Sequence, residues 1–552
     1  MSAINGVGKA NTGNQVSQES FDYNNERTIT PPTESNNTNS NASKTGELAQ
    51  TGAQMKQRLV SAYAAQTGAP NTPPDITTQA SVTQVGNQVI IDAGAGDDRI
   101  NVTNDPATGG VTVEVNGARR TFTGTDANNL VIRAGDGNDR IAVDSSVTVN
   151  LTLEGGDGRD RITGGGGNDI VRGGAGNDTI TGGAGNDRLY GGIGDGNFSA
   201  QDGDDTIRGG TGDDTIEAGA GNDRVHGEAG RDYINGSTGN DRLYGGDGDD
   251  VVYGGDGEDT VEGNAGNDYL EGSRGNDTIR GGDGDDVLSG GMGNDTLSGA
   301  GGNDTLYAGQ GTDTLRGGRG NNNIFAQTDD NTERSNSRKG INNNVVTVQL
   351  VGNPGGTGVV VNGSDEFRER VEADLEMLRS SPRGREMLTG FDNANAANGV
   401  TVTIVETNNG NAADWSNRLN PAAPQPFYDQ ATGTNGTPNN ATIEYNTSRI
   451  TIGSRDWERR PPVVALFHEM AHSYDFTHGT LRRGVYDGTD TVDAVNPPLP
   501  DVRNLERVAV SLPIDHDNNP TTPEQLAPEH PQGLTEDALR DEMRLPQRPS
   551  YR

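Results

Sequence analysis

The 552-residue chain contains no cysteine. Disulfides, a thiol nucleophile and thiolate-bound zinc are thereby excluded, and any metal has to sit on histidines, carboxylates or carbonyls. Lysine is almost missing as well, with only Lys9, Lys44, Lys56 and Lys339. Aromatic residues make up 4% of the chain and the apolar set 29%, too little to give an ordinary core along its whole length. No run approaches the ~18 consecutive apolar residues that span a bilayer, and the first residues lack the basic-then-apolar pattern of a secretory signal. Positive charge is scarce: 43 Lys+Arg against 80 Asp+Glu give a net charge of −37. Such a surface repels phosphate backbones and anionic lipids, so we expect no nucleic-acid partner and no stable membrane insertion.

What the chain has in excess is glycine, 83 residues, and it is placed with a period. Residues 1–80 precede that period and are rich in Ser, Thr, Asn, Gln and Gly, with one short helix-compatible run near Met55–Ala65. They read as disordered, and the Ser/Asn/Gln-rich leader, with no acidic residue before Glu19, resembles the secretion signals of type III effectors. Residues 81–154 carry short alternating runs such as Gln88–Asp92, Gly110–Val115 and Val147–Leu153, with the partial copies Gly96-Asp97-Asp98 and Gly137-Asn138-Asp139. This is strand-and-turn grammar, expected to form a β-rich cap of degenerate repeats.

A strict nine-residue period occupies 155–327. Its aspartates are Asp160, Asp169, Asp178 and Asp187, then Asp205, Asp214, Asp223, Asp232, Asp241, Asp250, Asp259, Asp268, Asp277, Asp286, Asp295, Asp304 and Asp313, with Gly196 at the one register that lacks Asp. Paired glycines permit tight turns with positive φ, while carboxylates and turn carbonyls are hard oxygen ligands suited to Ca²⁺. Two residues after each Asp stands an aliphatic side chain, such as Val171, Leu189, Leu243 or Leu297, so each turn is expected to add one inward residue to a thin stacked core. A flexible linker has no reason to keep that residue in register. The pattern resembles the GGxGxDxUx repeat of RTX (hemolysin-type) calcium-binding proteins, which implies a parallel β-roll binding several Ca²⁺ ions and unfolded without them. The apparent GxGxxG matches here are by-products of the period.

Residues 328–344 are polar and Asn/Ser-rich and read as a linker. The module 345–552 has ordinary α+β grammar: helical signals at Glu366–Arg379, after the cap Ser364, and at Gly384–Leu388, with strands near Val400–Glu406 and Ala441–Ile452. Five of the six histidines fall after residue 467, the other being His226 in a variable repeat position. Among the five is His468-Glu469-Met470-Ala471-His472, on a run whose apolar residues recur at helical spacing behind Pro461-Pro462. On a helix the two histidines stand at i and i+4 and face one side, where they can share a Zn²⁺, with Glu469 beside them as general base. Three residues compete for the third ligand. Glu506 lies 34 residues after His472 at gluzincin-like spacing and is preferred; His478 completes HExxHxxDxxH, although Asp475 stands where a sharp turn would need Gly; Asp475 is itself the third.

With these go Asn504-Leu505-Glu506-Arg507, Leu512-Pro513-Ile514-Asp515-His516-Asp517 and the tail from Leu534 to Tyr551. Together they resemble the NleD-type effector zinc metalloproteases of Gram-negative pathogens, over about residues 360–552. That resemblance implies a zincin-like fold, delivery into host cells by type III secretion and cleavage of host MAP kinases, so that the partners would be bacterial secretion machinery and a host protein substrate. Arg548 and Tyr551 form an R-x-x-Y pair similar to that of clostridial neurotoxin light chains, which implies that Arg548 orients the substrate carbonyl and Tyr551 donates to the oxyanion. His516, His530 and Tyr486 are rivals for that role. The whole is expected to be a secreted zinc endopeptidase of several domains. Two other readings stand beside it: a calcium-binding adhesive surface protein with an inactive HExxH, and a type I-secreted serralysin relative, whose modules would come in the reverse order.

Overall fold

The computed structural model describes residues 74–336, 339–348, 356–407, 412–415, 438–445, 462–478, 534–543 and 545. The expectations for residues 1–73 lie outside them.

Each nonapeptide forms one short strand and one turn, and successive strands alternate between two sheets of 14 and 15 strands, parallel except at their N-terminal edges. Partners within a sheet are eighteen residues apart, as in Val171↔Leu189↔Ile207 on one side and Ile180↔Phe198↔Ile216 on the other. One coil of the solenoid is therefore two nonapeptides. The aliphatic residue of each strand points inward and is fully buried, giving one continuous ladder between the sheets. Turn glycines are required by sterics: Gly158 has φ +137°, and a Cβ there would collide with the carbonyl of Gly137 in the coil below. An open parallel edge would invite pairing with other chains. At the N-terminal end antiparallel hairpins cover both sheets, Ser81–Val85 on Gln88–Ala95 and Gly110–Val115 between Arg99–Asp105 and Ala118–Phe122.

The segment 328–344, expected to be a linker, instead continues the roll. Asn331–Thr332 pairs with Thr314–Leu315, and Ile341–Thr347 pairs in parallel with Gly320–Ala326. Asparagine takes over from aspartate and glycine here: Asn322 Oδ1 accepts the Asp304 N–H at 2.9 Å, and the side chains of Asn342 and Asn344 donate to Asn321 and Asn323 at 2.7 and 3.2 Å. A polar composition therefore hid a ladder of side-chain amides.

The C-terminal module opens with strand β1 (Val359–Asn362), helix α1 (Asp365–Ser380) and helix α2 (Pro382–Asn398). Ser364 caps α1, its hydroxyl accepting the Phe367 N–H at 3.1 Å, and Ser381 caps α2 through the Gly384 N–H at 2.9 Å. Helix α2 runs ten residues beyond the expected Leu388 and stops at Gly399 in the left-handed region. Strands β2 (Val402–Glu406), β3 (Ala412–Trp415) and β4 (Ala441–Tyr445) complete a sheet of order β1-β2-β4-β3, parallel except for β3. Helix α3 (Pro462–His478) packs against β3, β4, α1, α2 and the short α4 (Glu536–Glu542). Among the described residues no helix is long and apolar enough to cross a membrane.

Candidate calcium and peptidase sites

Along the roll each repeat aspartate is buried and bonded in the same way. From Asp169 onward its Oδ1 accepts the backbone N–H eighteen residues earlier, as with Asp160 N–H to Asp178, Asp223 N–H to Asp241 and Asp250 N–H to Asp268, at 2.8–2.9 Å; at Asp160 the donor is the Asp139 N–H, at 2.8 Å. Its Oδ2 has no hydrogen-bond donor at Asp160, Asp178, Asp187, Asp241, Asp268 and most other registers. At Asp169 the Gly165 N–H reaches it instead, at 2.9 Å. A buried carboxylate oxygen without a donor is costly unless a cation meets it. That oxygen lies over the glycine five residues earlier: a Cβ at Gly155 would strike both Asp160 Oδ2 and the carbonyl oxygen of Gly173, and Gly173 stands likewise under Asp178 Oδ2 and the Gly191 carbonyl. Carboxylate and carbonyl oxygens thus converge on a space that only glycine leaves open. This donor set fits Ca²⁺, with backbone carbonyls supplying what the single carboxylate does not.

Burial is also the main cause of the raised pKa values along the column, about 6 for Asp160, 7 for Asp232 and 8 for Asp241 and Asp268, with neighbouring carboxylates adding to it. At the Gly196 register the scheme is interrupted. The ring of Phe198 lies over Gly191 and Gly196, filling the space a carboxylate occupies elsewhere.

The second site is on α3. Residues Val463 to Phe467 are buried all round, so this helix is the centre of its module. Gly390 of α2 makes room for its approach, since a Cβ there would strike the Tyr474 ring. His468 and His472 are 3% and 4% exposed, and their Nε2 atoms are 3.2 Å apart. Two nitrogens bound ~2.0–2.1 Å from one tetrahedral Zn²⁺ would be separated by about 3.3 Å, so the pair has the bite zinc requires. Glu469, between them in sequence, is 7% exposed.

His478 is not brought to this pair. The helix continues straight through Asp475, without the sharp turn of the HExxHxxGxxH pattern, and the His478 ring stacks on Tyr474 at 3.8 Å with Nδ1 2.9 Å from the Tyr474 carbonyl. The side chain of Asp475, together with Glu506, Arg548, Tyr551, His516, His530 and Tyr486, lies outside the described residues. Among those described, no three His or carboxylate side chains gather into a metal site.

A third buried cluster escaped the sequence reading. Asp374 of α1 accepts the hydroxyls of Tyr253, on the roll, and Tyr445, at the end of β4, at 3.2 and 2.8 Å. The Arg370 guanidinium lies 3.6 Å from the centre of the Tyr253 ring. The signal was present in the outward residues, which turn apolar or aromatic in every second nonapeptide: Tyr233, Val251, Tyr253, Tyr269, Val287 and Tyr307.

Two family models match the chain. Residues 356–551 match Peptidase_M91, described as an effector protein. Copies of the RTX calcium-binding nonapeptide repeat match between residues 152 and 333. No curated protein matches the chain.

Proposed function

We propose, from the premise of an effector peptidase module carried behind a calcium-binding roll, that this chain is a secreted bacterial zinc metalloendopeptidase of gluzincin type acting on host proteins. MAP-kinase-like signalling proteins are the substrate class that the resemblance to NleD-type effectors implies. The observation that carries the reading is the pair of buried Nε2 atoms 3.2 Å apart on α3 with Glu469 next to them in the chain. In this reading His468, His472 and Glu506 hold the zinc. A bound zinc supplies Lewis-acid polarisation of the scissile carbonyl and acidifies a water. Glu469 takes the proton from the attacking water and passes it to the leaving amine. Arg548 orients the carbonyl and Tyr551 donates to the developing oxyanion.

The test is elemental analysis and cleavage of a MAP kinase by the full chain in Ca²⁺, comparing wild type, His472→Ala and Glu469→Gln. About one zinc per chain is expected in wild type and Glu469→Gln and none in His472→Ala, with Glu469→Gln slower by about 10²–10⁴-fold. A folded wild-type chain without zinc would refute the reading.

A further inference from the structure

The coil length of eighteen residues means that whatever side chain points out of one sheet recurs on that sheet every second nonapeptide. On the sheet that contains Tyr233–Thr238, two outward rows are formed by Tyr233, Val251, Tyr269 and Val287, and by Tyr253, Glu271, Tyr307 and Phe325, and all eight are buried. The same positions of the opposite sheet carry residues such as Arg224, Arg242, Thr260 and Arg280, partly or fully exposed. The decorated face has no core of its own. Its aromatic and aliphatic side chains belong to one apolar cluster with α1, α2, α3, β2 and β4.

Polar bonds fix that junction at two places. Tyr253 reaches Asp374 of α1, which also holds Tyr445 of β4, and Gln310 donates to Glu376 of the same helix at 2.9 Å. Nearer the C-terminus the Tyr307 hydroxyl donates to Glu542 of α4 at 3.0 Å, and Glu542 in turn accepts the N–H of Arg383 in the first turn of α2 at 3.2 Å. Helices α1, α2 and α4 and strand β4 are among the elements packed against α3. The wall that positions His468 and His472 is therefore itself positioned by the roll.

We infer that calcium loading of the coils between residues 233 and 325 switches the C-terminal module between ordered and disordered. At pH 8 without the cation, the ionised carboxylates of Asp232, Asp250, Asp268 and Asp286 beneath this face have no donor for Oδ2, the coils do not stack, and the module loses one wall of its core. Before residue 233, the charge of Glu217 on the same sheet also acts on Arg370 of α1; the coils that precede Glu217 do not enter the switch. As regulation of peptidase activity this rests on the function proposed above; as coupling between roll and module it does not.

The two tryptophans, Trp415 and Trp457, both lie in the C-terminal module, and the roll has none. Tryptophan fluorescence of the full chain therefore reports the module while far-UV circular dichroism is dominated by the roll. In a calcium titration the two signals are expected to share one midpoint. The double variant Asp250→Asn/Asp268→Asn, under the docking face, should raise the calcium midpoint of the tryptophan signal by about tenfold, and Asp160→Asn/Asp178→Asn, far from it, by less than about twofold. Tyr253→Phe/Glu542→Gln should leave the dichroism midpoint in place and lower the temperature at which the tryptophan signal melts. A tryptophan signal indifferent to calcium while the roll folds would overturn the inference, as would equal shifts from the two aspartate pairs or an unchanged melt in Tyr253→Phe/Glu542→Gln. Because no readout is cleavage, an inactive chain tests it equally well.

Discussion

Glu271 is the most unusual single residue of the junction. It is fully buried, accepts the Tyr269 hydroxyl on Oε2 at 2.7 Å and has no donor on Oε1. Burial, then Asp374, push its pKa up to about 8, and Glu376 adds to the rise while Arg370 and the Tyr269 hydroxyl oppose it. A carboxyl whose folded value lies above its unfolded value contributes stability that is complete below the unfolded pKa, near 4.5, and is lost as pH rises through about 8. Glu271→Gln keeps the shape and an oxygen for Tyr269 but cannot ionise. We expect it to match wild type at pH 5 and to exceed it at pH 9 by about 1–3 kcal/mol, the range for an ill-satisfied buried polar group. Thermal unfolding in saturating Ca²⁺, followed by tryptophan fluorescence, measures the difference; a variant less stable than wild type at pH 9 would show that Glu271 is charged and paired.

The roll's strands and turns were legible because one residue type at each of a few positions decides them. Aspartate at 160 and every ninth residue onward, glycine at the turn and an aliphatic side chain two residues after Asp state the period directly, and the resulting stack is the one found. The caps at Ser364 and the helix bearing His468 and His472 were legible for the same local reason. Two elements were not. The Asn321–Asn344 ladder has strand pairing without the Gly/Asp signature, since amide side chains bond to one another across coils. The docking face repeats at eighteen, and a period of nine averages it away. Of the candidates for a third ligand, Glu506 and the side chain of Asp475 lie outside the described residues, and no local pattern places a residue 34 positions beyond His472 relative to α3.

The same elements set the pH behaviour of the metal-free roll. Raised carboxyl values of about 6 to 8 mean that, in EGTA, the stacked coils are favoured below about pH 4 and lose that contribution as pH rises through 6 to 8. Far-UV circular dichroism in EGTA should show strand at pH 4.5 and its loss at pH 8, with Ca²⁺ restoring it at pH 8. Strand persisting at pH 8 in EGTA would mean that the carboxylates are satisfied without the cation.

At the scale of the molecule, the chain is a ruler with two kinds of step. Removing eighteen residues deletes a whole coil and leaves every later strand on its own sheet; removing nine moves every later strand to the opposite sheet. Deletion of residues 191–208, which takes out the irregular Gly196 unit, shortens the roll before the docking face and leaves Tyr233 to Phe325 in their mutual register. Deletion of residues 255–263 joins Gly254 to Asn264 without breaking the nonapeptide, and the inward ladder survives. It nevertheless places Tyr233, Val251 and Tyr253 on one sheet and Tyr269, Val287 and Tyr307 on the other, so the face under α1 is split in two. The eighteen-residue deletion should therefore keep a calcium-dependent tryptophan signal with a melt within a few degrees of wild type. The nine-residue deletion should retain a calcium-folded roll by circular dichroism and lose the cooperative tryptophan melt. If both deletions kept that melt, the module would be folding on its own core and the decorated face would be packing without structural consequence; loss in both would mean that the roll acts as one indivisible unit in which coil number, and not the side on which a strand lies, decides whether the module docks.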